Sequence, residues 1–84
     1  MKPRSKEPGN KNVIGSNIVK IRKSQNMKQK DLLTKLQVSG TDISPTSLSR
    51  LEGQYRIAAD YEIIAVAEAL NVDVDELLKR TILE

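Results

Sequence analysis

The sequence predicts an all-α domain of five short helices. Three observations carry that prediction. Apolar residues recur at three- and four-residue spacings along nearly the whole chain, in stretches separated by short polar turns. Five such stretches with connections of a few residues leave no strand to place. The only aromatics are Tyr55 and Tyr61, so the core must be built from Ile, Leu, Val and Ala. Eighty-four residues allow one domain, and a chain this short reaches a stable core only if its helices pack efficiently.

Residues 1–12 contain two prolines, a glycine and four basic residues, with almost nothing apolar. They bury too little to offset the entropy of ordering, and they read as a flexible basic arm ahead of a helical domain spanning residues 13–84. Lys2, Arg4, Lys6 and Lys11 could follow a phosphate backbone, or the arm could be a leader without function. The first helix is expected over residues 13–25. Ile14, Ile18 and Ile21 form its buried stripe, Lys20, Arg22 and Lys23 lie off it, and Asn26 is a left-handed stop. The second helix is expected over residues 28–37, with Leu32, Leu33 and Leu36 inward and Gln29, Lys30 and Thr34 outward. A polar turn follows, pivoting on Gly40.

The third helix has the clearest boundaries. Ser44 is a good N-cap and Pro45 follows at the first helical position, where its missing N–H costs nothing. Ile43 and Leu48 have the spacing of a hydrophobic staple. Leu48 and Leu51 share the inner face, leaving Pro45, Thr46, Ser49 and Arg50 outside. Gly53 is expected to end the helix in a left-handed conformation. The fourth helix should run over residues 60–70, capped by Asp60, with Ile63, Val66, Ala67 and Leu70 on one face. Asp73 and Glu76 then have capping-box spacing, and a fifth helix starting at Val74 carries Leu77 and Leu78 inward.

Composition excludes several functions. The chain has no Cys and no His, which removes thiol chemistry, disulfides, the usual zinc sets and the commonest general base. Neighbouring carboxylates such as Asp73 and Asp75 are explained by helix capping, and no nucleophile or phosphate loop accompanies them, so no enzyme is expected and no cofactor or metal is implied. No apolar run has the length of a membrane span and no signal-peptide core is present; a cytoplasmic protein without a membrane partner is the expectation. The net charge of +3 conceals a segregation. Residues 1–36 carry +8 and residues 37–84 carry −5, which points to a polyanionic partner or to a solvated basic face.

A second helix, a turn, and a third helix with a small, polar and basic outer face make a helix-turn-helix. In that motif the second of the two helices enters the DNA major groove, and short side chains let it approach the base edges. With the motif in place, the chain resembles the Cro/CI phage-repressor family, also called the XRE type. Ile18, Ile21 and Arg22 are similar to the family's first helix, and Met27, Gln29 and Leu32 to its second-helix opening. Leu48, Arg50, Leu51, Glu52 and Gly53 are similar to its recognition-helix ending. The run from Ile63 through Val72, followed by Asp75, Leu77 and Leu78, is similar to the fourth and fifth helices. The likeness extends from Ile14 to Leu78.

The resemblance implies a lambda-repressor-like fold and a sequence-specific DNA-binding transcriptional regulator, a repressor, acting on double-stranded DNA as a homodimer. It implies base contacts from Pro45, Thr46, Ser49 and Arg50. It implies phosphate contacts from Gln29 and Ser44, at the starts of two helices; the same two residues also read as plain caps. Lys23, Lys28, Lys30 and Arg56 are expected on phosphates as well, on the ground of their charge. Arg22 and Glu52 match a partly buried ion pair tying the first helix to the third, against the alternative of two separate surface charges.

Two departures bear on how the third helix is held. The turn after the second helix is longer than the family's usual spacing, and Leu33 stands where the family prefers a small residue. Pro45 also lacks a side-chain donor, so readout should fall mainly on Arg50, Thr46 and Ser49. The competing function is a protein-interaction module, antitoxin-like or coactivator-like, using an acidic surface of Asp60, Glu62, Glu68, Asp73, Asp75 and Glu76. No small-molecule ligand is evident. Leu77 and the closing residues 81–84 are candidates for an apolar dimer contact.

Overall fold

A computed structural model describes residues 9–79 of the chain. It contains five helices in chain order: α1 (Gly15–Ser24), α2 (Gln29–Val38), α3 (Pro45–Glu52), α4 (Asp60–Leu70) and α5 (Val74–Leu78). Among the described residues there is no strand. Residues 1–8 of the expected basic arm and residues 81–84 of the expected dimer contact lie outside the described residues.

The core is aliphatic, as the shortage of aromatics requires. Ile14, Ile18, Leu32, Leu36, Leu48, Leu51, Val66, Leu70 and Leu77 are all fully buried, so every helix contributes to one cluster. Helix α2 packs on α3 and α4, while α1 crosses α3, α4 and α5. Ile43 and Leu48 of the staple are both buried, and the Ser44 hydroxyl accepts from the Ser47 amide at 3.1 Å.

The lengthened turn between α2 and α3 is held at several points. Gly40 adopts φ +96°, a conformation that side chains resist, and lets the chain reverse. The Thr41 amide donates to the Leu36 carbonyl at 2.9 Å, closing the end of α2. The Gln37 side chain donates to the Ile43 carbonyl at 3.2 Å, tying the far end of the turn back to α2. Leu33 is half-buried and packs at the edge of the core.

Several boundaries differ from the sequence reading. Helix α1 begins at Gly15, not at 13, because the Asn12 side chain accepts from the amides of Ile14 and Gly15; Val13 is left exposed. Arg22 is buried, since Glu52 faces it. Gly53 is in the right-handed region, φ −83°, and the left-handed residue after α3 is Gln54, φ +66°. Glycine at 53 serves space instead, because a Cβ there would come within 2.6 Å of the Tyr55 ring. Ala59, not Asp60, is the N-cap of α4, and its amide donates to Glu62 at 3.0 Å. Asp73 stands at the N-cap of α5 without a side-chain capping bond. Leu78 is exposed, because a five-residue helix turns only one leucine, Leu77, fully inward.

Candidate nucleic-acid interface

The residues at issue lie on α3 and at the start of α2. Pro45, Thr46, Ser49 and Arg50 are exposed, while Leu48, Leu51 and Glu52 of the same helix are buried. An eight-residue helix with two turns therefore shows one face that is short, polar and singly basic. Ser44, capping that helix, is exposed, and its hydroxyl hydrogen is left over after the oxygen has accepted from Ser47. Lys28 and Lys30, at the start of α2, and Lys23, near the end of α1, are exposed.

In the first turn of α2 the Asp31 and Leu32 amides donate to the Lys28 carbonyl at 3.0 and 3.1 Å, while those of Gln29 and Lys30, at the positive end of the helix dipole, have no acceptor within the helix. Asp31 uses one carboxylate oxygen to accept the Lys28 amide at 3.0 Å, so the amide just ahead of the helix is satisfied by the helix's own first turn. That end of α2 is a natural seat for a phosphate oxygen.

A buried ion pair ties α1 to α3, and the start of α2 is bonded to both partners. Arg22 donates from Nε to Glu52 Oε2 and from Nη2 to Glu52 Oε1, both at 3.0 Å, with side chains 10% and 5% exposed. Its Nη1 donates to the Met27 carbonyl at 2.9 Å. Gln29 Nε2 donates to Glu52 Oε1 at 2.9 Å. One carboxylate thus collects an arginine from α1 and a glutamine from the first position of α2. Burying this much charge is tolerable only because each side satisfies the other. The Gln29 side chain, expected outward and on a phosphate, is half-buried and bonded to α3.

Arg56 differs from expectation. Its Nη1 and Nη2 grip both oxygens of Glu62 at 2.8 and 3.0 Å, and its Nε donates to the Ser47 carbonyl at 3.0 Å. Nη1 also donates to the Ile57 carbonyl at 3.0 Å. Four of its five N–H groups are used inside the protein, so it braces α3 against the start of α4 rather than standing free beside a phosphate. Burial pushes the Glu62 carboxyl up, but bonds from Arg56 and the Ala59 amide, with the charge of Arg56, hold it below its usual value of 4.5. Glu62 is accordingly buried and does not belong to the acidic surface of Asp60, Glu68, Asp73, Asp75 and Glu76, all of which are exposed.

Asn12, Asn17, Gln25 and Gln54 join elements through bonds that were not expected from the sequence. Asn17 donates to the carbonyls of Leu77 and Lys79, holding α5 to α1, and Gln25 donates to the Leu70 carbonyl at the end of α4. Only Asn12 left a signal in the sequence, since an Asn just ahead of an apolar stripe is a candidate cap. No helix among the described residues is long and apolar enough to cross a membrane.

A family model described as helix-turn-helix, of the XRE or Cro/CI type, matches residues 18–77, well over half of the chain. No curated protein and no solved structure matches. The matched span runs from the buried stripe of α1 to Leu77 of α5, and so takes in the ion pair, the exposed face of α3 and the start of α2. The chain belongs to the Cro/CI-type helix-turn-helix family, whose members are DNA-binding regulators.

Proposed function

We propose that the protein is a sequence-specific transcriptional regulator that inserts α3 into the DNA major groove and represses by occupying its site. The observation that carries this reading is the pairing of an exposed, small and basic face on α3 with the open first turn of α2, locked together through Glu52. Arg50 reads a guanine through its two parallel donors; Thr46 and Ser49 add hydroxyl contacts, and Pro45 an apolar one to a thymine methyl. Gln29 and Ser44, at the two helix starts, hold phosphates, with Lys23, Lys28 and Lys30 alongside. These contacts position the protein, and the face of α3 selects the sequence. The function is binding without chemistry.

A homodimer on paired half-sites follows from the same reading, since two copies double the sequence that can be read. Leu77 is fully buried and takes no part in any such contact.

Selection of bound duplexes from a random DNA pool tests the proposal. A recovered preferred site, palindromic for a dimer, is the expected result. Recovery of no preferred sequence, with binding that depends on salt alone, would overturn it.

A second reading has its own observation. Tyr61 and Ile64 of α4 are 63% and 52% exposed and lie on the same stretch as the exposed acids Asp60 and Glu68. A mixed apolar and acidic face of this kind suits a basic protein partner. Stable co-purification with such a partner in nuclease-treated extract would favour this face over α3 as the working surface.

A further inference from the structure

We propose that Asn12 is a positioning residue for α3: it clamps the C-terminal end of that helix to the N-terminus of α1 and so sets how Arg50 is presented. The contacts stand by themselves; their consequence for readout rests on the DNA-binding function proposed above.

The clamp uses every polar group of one side chain. Asn12 Oδ1 accepts from the amides of Ile14 and Gly15, at 3.0 and 2.8 Å, and starts α1. Its Nδ2 donates to the carbonyls of Leu51 and Arg56, at 3.1 and 2.8 Å. An asparagine amide has two donor hydrogens and an oxygen with two lone pairs, and all four are used. Capping α1 alone would be served equally well by Ser or Asp. The two bonds to Leu51 and Arg56 need an N–H donor pair, which neither supplies. The choice of Asn is thus explained by α3 and not by α1.

Neighbouring backbone makes the clamp a strap. The amides of Gly9 and Lys11 donate to the carbonyls of Gly53 and Gln54 at 2.8 and 2.9 Å. The Gln54 side chain returns a bond to the Asn12 carbonyl at 2.7 Å. Carbonyls at the end of a helix lack intrahelical donors, and here residues 9–12 supply them at 51, 53, 54 and 56. The stretch read from composition as part of a free arm is therefore bonded to the fold from Gly9 onward. Gly15 lets α1 come this close, because a Cβ there would sit 2.5 Å from the Leu51 carbonyl.

Arg50 directly precedes Leu51, so the clamp acts one residue from the side chain assigned to base readout. Ser44 holds the other end of α3 and Glu52 holds its inner flank, but neither restrains the backbone at 53–56.

The test uses the full chain with Asn12→Asp and Asn12→Ser. Both keep a capping oxygen and lose the donor pair; Ser avoids placing a carboxylate beside two carbonyls, in case Asp unfolds the protein. Lys11→Gln controls for the charge change of Asn12→Asp. Two quantities are read: amide hydrogen exchange of Gln54 and Tyr55 without DNA, and the affinity ratio between the pool-selected duplex and a scrambled one. Expected for both Asn12 variants is exchange faster by about tenfold and a ratio lower by about tenfold, as loss of bonds to partly buried carbonyls implies. Lys11→Gln should weaken both duplexes alike and leave the ratio unchanged. Folded Asn12 variants with the parent's ratio would overturn the positioning role, whether or not exchange has changed. A parent chain that prefers no duplex would instead overturn the DNA-binding reading itself, on which this inference depends.

Discussion

Arg22 on α1 and Glu52 on α3 form a two-pronged ion pair with both contacts at 3.0 Å, at a point where little water reaches. Removing one partner strands the other. Glu52→Ala should therefore destabilise the fold by about 3–5 kcal/mol in denaturant titration, much more than a surface substitution. Replacing both charges, as in Arg22→Met with Glu52→Leu, should cost markedly less than the single change. A Glu52→Ala midpoint indistinguishable from that of an exposed-site control such as Glu68→Ala would refute the assignment.

The second ion pair carries a pH signature. Glu62 is held below 4.5 in the folded chain by Arg56 and the Ala59 amide, so the unfolded chain binds its proton more readily. Its contribution to stability is complete above pH 4.5 and is lost as pH falls through the lower, folded-state value. Urea titrations across this acid range should show the stability gap between the parent and Glu62→Gln closing as the pH drops. A gap that stays constant would mean that Glu62 does not titrate as the structure requires.

Arg50 and Lys30 should behave differently on DNA. Arg50→Ala removes a bidentate base contact and should cost about 1–3 kcal/mol at one base pair of the preferred site while relaxing the choice there. Lys30→Ala should weaken all duplexes alike and reduce the salt slope by about one. Gel-shift titrations at several salt concentrations separate the two. Equal losses on every sequence for Arg50→Ala would make it a backbone contact.

Gly15→Ala sets two effects against each other. Alanine gains helix propensity over glycine, by less than the about 1 kcal/mol of a helix interior because Gly15 is the first residue of α1. The new Cβ, however, would lie 2.5 Å from the Leu51 carbonyl and 2.7 Å from that of Glu52, neither of which can swing aside as a side chain end could. The steric penalty should win, for a net loss of about 1–3 kcal/mol seen in thermal or urea unfolding. A variant as stable as the parent would show that α1 can retreat from α3 without loss.

Much of the molecule was legible because its determinants are local. The Ser44 cap, the Pro45 start, the Ile43–Leu48 staple and the Gly40 reversal depend on a few consecutive residues, and each has its expected place. The exposed face of α3 follows from the period of the helix. The Arg22–Glu52 contact was suggested by the family's pattern, and its partners are thirty residues apart in the chain, beyond the reach of spacing alone.

What composition and periodicity could not decide is which polar group meets which across helix boundaries. Arg56 looked like a free cation until α4 brought Glu62 against it. Asn12 looked like part of an arm until the end of α3 offered it two carbonyls. Gly53 looked like a left-handed cap, but Tyr55 claims the space beside it and Gln54 takes the left-handed turn. Five helices, their inward faces and the residues presented by α3 follow from neighbours in the chain. How α3 is held is settled by packing, because its anchors come from residues 9–12, α1, α2 and α4, and a buried donor takes whichever acceptor the fold brings to it.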